Sequence, residues 1–375
     1  MKDTFDTSLA DSQATRVEPV APERFDRARY ADYAAALEER CADFWEADQG
    51  VLVYRRMRVK EVFAEDCRDM RRSLAWQLGA LEQSMRYEAD VPNFLEPWYG
   101  LGTVAAAYGF DYRWEAGLAP AVDGKFASTA ELVAAPFRPV AETAIGRHTL
   151  EMAEYFLDAT RGELPMSYCD VQSPLNTLSN IVDSNQFYLD FYLDPEAMTT
   201  AMERTADLLA DFTEAQRRLI GPALVKPGHG FSSARAFDGL GMSDDTVTML
   251  SPDLYFPVAV PAMKKVGDRF GGTVFHSCGC WADKKEGIAR IEGLRMADGA
   301  FSLATDPGAN PVEGFAEAFA GSGAVLNARI VGPAEVVVEK VRALWRPGMK
   351  LIVVTYCDTP AEQADLYRKI HEICR

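Results

Sequence analysis

A rhythm in the C-terminal half constrains this chain more than any other feature. Four short strand-like runs each precede a helical stretch: "GGTVFHSC" (271–278), "GAFSLA" (299–304), "AVLNARI" (324–330) and "KLIVVTYC" (350–357). Strands that alternate with helices of about 10–15 residues form βαβ units and a parallel sheet. The helix starts agree. Pro195, Pro252, Pro311, Pro333 and Pro360 stand at first-turn positions, where a missing N–H costs nothing. Thr359 and Glu362 read as a capping box. Four such units, with room upstream for about four more, predict an α/β (β/α)8 TIM barrel. No G-x-G-x-x-G follows a first strand, so a dinucleotide-binding sheet has no support.

Upstream, helical periodicity runs over about 24–47 and 58–88. This predicts an N-terminal helical extension. Residues 1–22 are polar with scattered proline and are expected to form a flexible arm, leaving 23–375 as one barrel domain. The 48% hydrophobic content is ample for one large core. Lys+Arg 39 against Asp+Glu 56 gives a net charge of −17, which argues against nucleic acid or anionic lipid as a general partner. No apolar run reaches membrane-spanning length, and the first residues carry no apolar leader, so a cytoplasmic location is expected. Thiols stay reduced there, and seven scattered cysteines do not suggest a disulfide framework.

The chemistry concentrates at one strand end. In a barrel, the loops after the strands share one face, and that face carries the active site. Residues i and i+2 of a strand point the same way. His276 and Cys278 therefore aim at one point above the sheet. Cys357 ends the last strand-like run, 79 residues after Cys278. One imidazole and two thiolates suit Zn2+, and three protein ligands leave a fourth position open for chemistry. The competing reading is plain: a His-x-Cys at a strand end is more often core packing. Cys280 is the alternative ligand, although Gly279 is expected to turn the chain before it. Cys41, Cys67 and Cys374 read as packing residues on helices, and Cys169 as part of a barrel strand.

These residues resemble the zinc motif of the corrinoid-dependent methyltransferases. Those enzymes belong to the uroporphyrinogen decarboxylase superfamily and include the methanol- and methylamine-specific coenzyme M methyltransferases. The run "GMSDDTVTMLSPDLYFPVAVPAMKKVGDRFGGTVFHSCG" (241–279) is similar to the family's stretch from an Asp-Asp loop to its His-Ser-Cys-Gly strand end. "DVQSPLNTLSNIV" (170–182) and "VPNFLEPWYGLGTVAAAYGF" (91–110) resemble its pocket loops. The resemblance covers roughly residues 90–375. It implies zinc at the barrel rim. It also implies methyl transfer between a small methyl donor or thiol and the cobalt of a corrinoid (cobalamin) carried by a small partner protein. The Arg-Gln-Ala-Gly-Arg-Tyr segment of true decarboxylases is missing. "VYRRMRVKEVFAED" (53–66) is basic but different, so porphyrinogen decarboxylation is not expected.

Further candidates line the rim. Asn93, Trp98, Tyr99 and Gln172 are candidate substrate contacts, weighed against aromatic packing. Asp245, beside Asp244, is the candidate acid or outer partner of His276, weighed against a solvated loop or helix cap. Glu96 and Asp358 are possible fourth ligands, and His229 reads as structural. Two other readings stay open: direct folate-to-thiol methyl transfer, and a binding protein without turnover.

Overall fold

The computed structural model describes residues 13–375. The expected arm therefore lies outside the described residues as far as residue 12. Residues 13–22 run against the barrel. Ala14 pairs with Arg58, and the Val20 N–H donates to Ala75 O at 2.9 Å.

Among the described residues there are eight strands: β1 (Gly50–Arg55), β2 (Asp111–Arg113), β3 (Ala121–Asp123), β4 (Leu240–Ser243), β5 (Thr273–Ser277), β6 (Leu294–Ala300), β7 (Val325–Arg329) and β8 (Lys350–Thr355). β2 and β3 form a separate antiparallel hairpin. The other six make one parallel sheet in the order β1-β8-β7-β6-β5-β4. Two extended segments close the ring between β1 and β4. Asp90 N–H donates to Val53 O, Leu95 N–H donates to Pro165 O while its carbonyl accepts from Ser167 N–H, and Ser243 N–H donates to Val171 O. The result is the expected (β/α)8 barrel.

The helices are α1 (Arg27–Arg40), α2 (Ala42–Glu46), α3 (Met70–Ser84), α4 (Thr129–Ala134), α5 (Ala144–Thr160), α6 (Pro174–Ile181), α7 (Ser184–Leu193), α8 (Pro195–Ile220), α9 (Pro252–Asp268), α10 (Lys285–Ala289), α11 (Phe315–Phe319), α12 (Ala334–Leu344) and α13 (Pro360–Ile373). α1 and α2 are the N-terminal extension. Starts follow the sequence logic: α8 opens on Asp194-Pro195, and Thr359 and Glu362 make a complete capping box for α13.

Strand parity divides the core. Leu52, Tyr54, Val274, Met296, Val325, Ile352 and Val354 fill the barrel interior. Their neighbours Val53, Phe275, Ala297, Leu326, Leu351 and Val353 face the helical layer. Burial on both faces gives near-continuous apolar strands.

Three local expectations change. Pro311 opens no helix, because α11 starts only at Phe315, after Gly314. The stretch 58–88 is two 3-10 turns followed by α3, because Asp69 caps a fresh helix start. The strand expected at 299–304 is β6 at 294–300, and the chain turns at Ser302.

Candidate metal centre

β5 carries the centre. Val274 faces the barrel interior, so His276 two residues on faces the mouth. Its ring lies edge-on to Phe231, 5.8 Å away. Cys278 follows with the same parity, and its Sγ stands 3.4 Å from His276 Nε2. Asp245, in the turn after β4, accepts from the Cys278 N–H at 2.7 Å. The tight turn needs Gly279, because a Cβ there would sit 2.9 Å from Thr248 Cγ2. Among the described residues, His276, Cys278 and Asp245 form a group whose ligand atoms all lie within 4.8 Å of one another.

The imidazole is oriented from behind. Asp298 on β6 takes His276 Nδ1 at 2.5 Å and also accepts from Arg329 Nε at 2.9 Å and Asn327 Nδ2. All three partners face inward. Burial raises the Asp298 carboxyl, but Arg329 first and His276 second outweigh it and hold it at about 2. Burial also disfavours a charged imidazole at His276. The Cys278 thiolate, then Asp298, overcome that and push its pKa up to about 10. Nδ1 is thus committed to the carboxylate, and Nε2 faces the thiol.

This arrangement fits zinc. A carboxylate holding the far nitrogen of a ligating imidazole fixes both tautomer and ring plane. Zinc–nitrogen and zinc–sulfur bonds at a tetrahedral angle separate N and S by roughly 3.5 Å. The Nε2–Sγ distance of 3.4 Å matches.

The model of the uroporphyrinogen decarboxylase (URO-D) family matches residues 51–360. The chain belongs to the URO-D family. A methyltransferase from Methanosarcina mazei has a similar structure, with a TM-score of 0.56 and 14% sequence identity, covering 90% of this chain and 98% of that one. At that identity the likeness is one of fold. The carboxyl transferase domain of Rhizobium etli pyruvate carboxylase is more remote, with a TM-score of 0.35 and 9% identity over 96% of this chain and 52% of that chain, and nothing rests on it. No curated protein matches the chain.

The other expected residues of this URO-D barrel are spread over several parts of the fold. Cys357 is not brought to the group. Ile352, Val354 and Tyr356 face the interior, so Cys357 has the opposite parity and packs against the helical layer. Its backbone carbonyl accepts from Arg55 Nε at 3.0 Å, and burial pushes its thiol up to about 11. Cys280 is exposed and outside the group. Of the acidic pair, Asp244 is buried and Asp245 is half-buried. Asp244 takes bonds from Ser173 Oγ at 2.5 Å and Tyr255 Oη at 2.7 Å, tying α6 and α9 to the loop after β4. Burial pushes its carboxyl up to about 6.

Asn93 spends its amide on the fold. Oδ1 accepts from Met57 N–H and Tyr54 Oη, and Nδ2 donates to Arg55 O. Tyr99 lies in an aromatic cluster with Tyr112, Trp114 and His148. Trp98 and Gln172 do meet, through Asp170: Trp98 Nε1 donates to Oδ2 at 3.2 Å and Gln172 Nε2 to Oδ1 at 2.9 Å. His229 sits between two carboxylates, 2.6 Å from Glu96 and 3.5 Å from Asp170.

Arg58 is half-buried on the same side of the barrel, over the Phe63 ring. Burial lowers its pKa, while Tyr356, Cys278 and Glu96, in that order, counter the effect. The sequence reading missed Asp298, Asn327, Arg329, Asp170 and Tyr356. The first three carried a signal: charged or amide residues at inward positions of apolar strands.

Proposed function

We propose that this protein is a zinc-dependent methyltransferase of the URO-D family. It would move a methyl group between a small methyl donor or thiol and a corrinoid (cobalamin) carried by a small partner protein. The observation that carries the reading is His276 Nε2 and Cys278 Sγ, 3.4 Å apart at the barrel mouth, with Asp298 holding Nδ1. The family membership and the fold shared with a methyltransferase support it. The single barrel domain over 23–375 and a cytoplasmic location belong to the same proposal. No helix among the described residues is long and apolar enough to cross a membrane.

His276, Cys278 and Asp245 would hold the zinc. Bound there, zinc lowers the pKa of a thiol or polarises a methylated heteroatom. The protein's own groups do the remaining work. Asp298 keeps the His276 proton on Nδ1. Arg329, beneath it, compensates the Asp298 charge, so the carboxylate does not need a proton of its own. Arg58, half-buried next to the loop that carries Arg56, would add a positive charge on the β1 side of the mouth. Asp244 fixes the turn that carries Asp245. Trp98 and Gln172, joined at Asp170, form the neighbouring wall, one strand beyond β4, where a small substrate would be oriented.

Metal analysis of the purified protein and methyl transfer from a panel of methoxy and methylamine compounds to cob(I)alamin test the proposal. About one zinc per chain with turnover supports it. One zinc with no turnover on cobalamin or folate would favour a binding protein. No zinc would remove its chemistry.

A further inference from the structure

The segment before α1 has two parts of different construction. Its base is packed. Val17 and Val20 rest on the hydrophobic clusters, the Val20 N–H bonds to Ala75 O, and Glu18 O lies so close to α3 that a Cβ on Gly79 would come within 2.0 Å of it. Its tip is polar and reaches over the mouth. Gln13 Oε1 accepts from Tyr356 Oη at 2.9 Å and from Arg56 at 3.5 Å, and Gln13 Nε2 donates to Thr305 O at 3.4 Å. Thr15 Oγ1 accepts from Arg55 at 3.2 Å, and the Thr15 N–H donates to Arg58 O at 2.7 Å. One side chain thus joins the loops after β1, β6 and β8. The loop after β6 adjoins the metal centre: a Cβ on Gly308, three residues past Thr305, would lie 3.5 Å from Gly279 Cα and 3.7 Å from Cys280 N, next to Cys278.

We propose that residues 13–15 are a strap anchored at residues 17–20 and latched through Gln13. The strap roofs the side of the mouth between β1 and β6, and it must unlatch for a bulky reactant to reach His276 and Cys278. The apolar base keeps the strap on the molecule, while the few polar bonds at its tip break at low cost. A small molecule reaches the half-buried Cys278 without the strap opening. The strap's existence does not depend on the methyltransferase reading; only the identity of the bulky reactant does.

The test uses full-length, metal-free protein in a Cys280→Ser background, so it does not depend on whether zinc binds. Cys278 is alkylated with iodoacetamide or with a polymer-linked maleimide, and the rate is read by peptide mass spectrometry. Gln13→Ala should speed the bulky reagent by about tenfold, the population shift expected from losing about one net hydrogen bond. Iodoacetamide rates should stay within about twofold. Thr15→Ala should act in the same direction, and hydrogen exchange at the Thr15 amide should rise in both variants. Equal bulky-reagent rates in all three proteins, or an unchanged Thr15 amide in Gln13→Ala, would overturn the strap.

Discussion

β5 and β8 end alike in sequence and oppositely in space. Each is a buried, β-branched strand with a cysteine just past its end. At β5 the interior series is Val274, His276, Cys278, and the cysteine meets the imidazole at 3.4 Å. At β8 the interior series is Ile352, Val354, Tyr356, and Cys357 falls on the helix-facing side. A strand alternates with period two, so one position decides whether a side chain enters the site or the packing layer. Two cysteines at strand ends are therefore not equivalent ligands. The residue that β8 sends to the mouth is Tyr356, whose hydroxyl holds Gln13.

The sharpest break of this contrast is at β5 itself. His276→Ala and Cys278→Ser should each reduce bound zinc to roughly 0.1 per chain or less, because neither leaves enough soft ligands for a stable site. Circular dichroism should show the fold retained. Full zinc in either variant would place the metal elsewhere. The outer partner comes next. Asp298→Asn keeps the shape but not the charge that holds Nδ1, and zinc affinity should fall about 10–100-fold. An unchanged affinity in a competition titration would mean that Asp298 serves only Arg329 and the core.

Much of this was readable beforehand, and the failures have physical causes. The barrel was legible because βα alternation, proline starts and the 359–362 capping box all point the same way. His276 and Cys278 are legible together because they share one strand end, where parity is local. Cys357 is harder to place from sequence, because a meeting of two strand ends depends on the parity of each, and here its side chain packs against the helical layer. Asp298 was missed because the strand was set at 299–304, about five residues late, leaving it in an apparent loop. Asn93 looked like a binding residue because its loop is rich in special residues. Its amide is instead the joint between β1 and the next barrel segment.

Asp245 sharpens the comparison from the other side. It stands third in the group with His276 and Cys278, where Cys357 does not, yet it is only half-buried and already accepts from the Cys278 N–H. Water can replace one half-buried carboxylate oxygen, so Asp245→Ala should cost about tenfold in zinc affinity, less than the buried partner does. A loss as complete as that of Cys278→Ser would make Asp245 an obligatory ligand.

The smallest effect is expected at Cys357, and it tests the parity argument most directly. The thiol is half-buried against apolar side chains, with its carbonyl bonded to Arg55. Cys357→Ser replaces sulfur with a slightly smaller, more polar atom in a place that asks only for packing. It should cost about 1 kcal/mol of stability and leave the zinc content unchanged. Cys357→Ala should behave the same way, since neither variant touches the interior series of β8. Tyr356→Phe should also keep the zinc while losing its bond to Gln13. If instead Cys357→Ser released zinc and Asp245→Ala did not, the chain after Thr355 would have to turn its outer face into the mouth when metal binds. The two strand ends would then become equivalent only in the loaded protein, and the metal rather than strand parity would set the final geometry of the site.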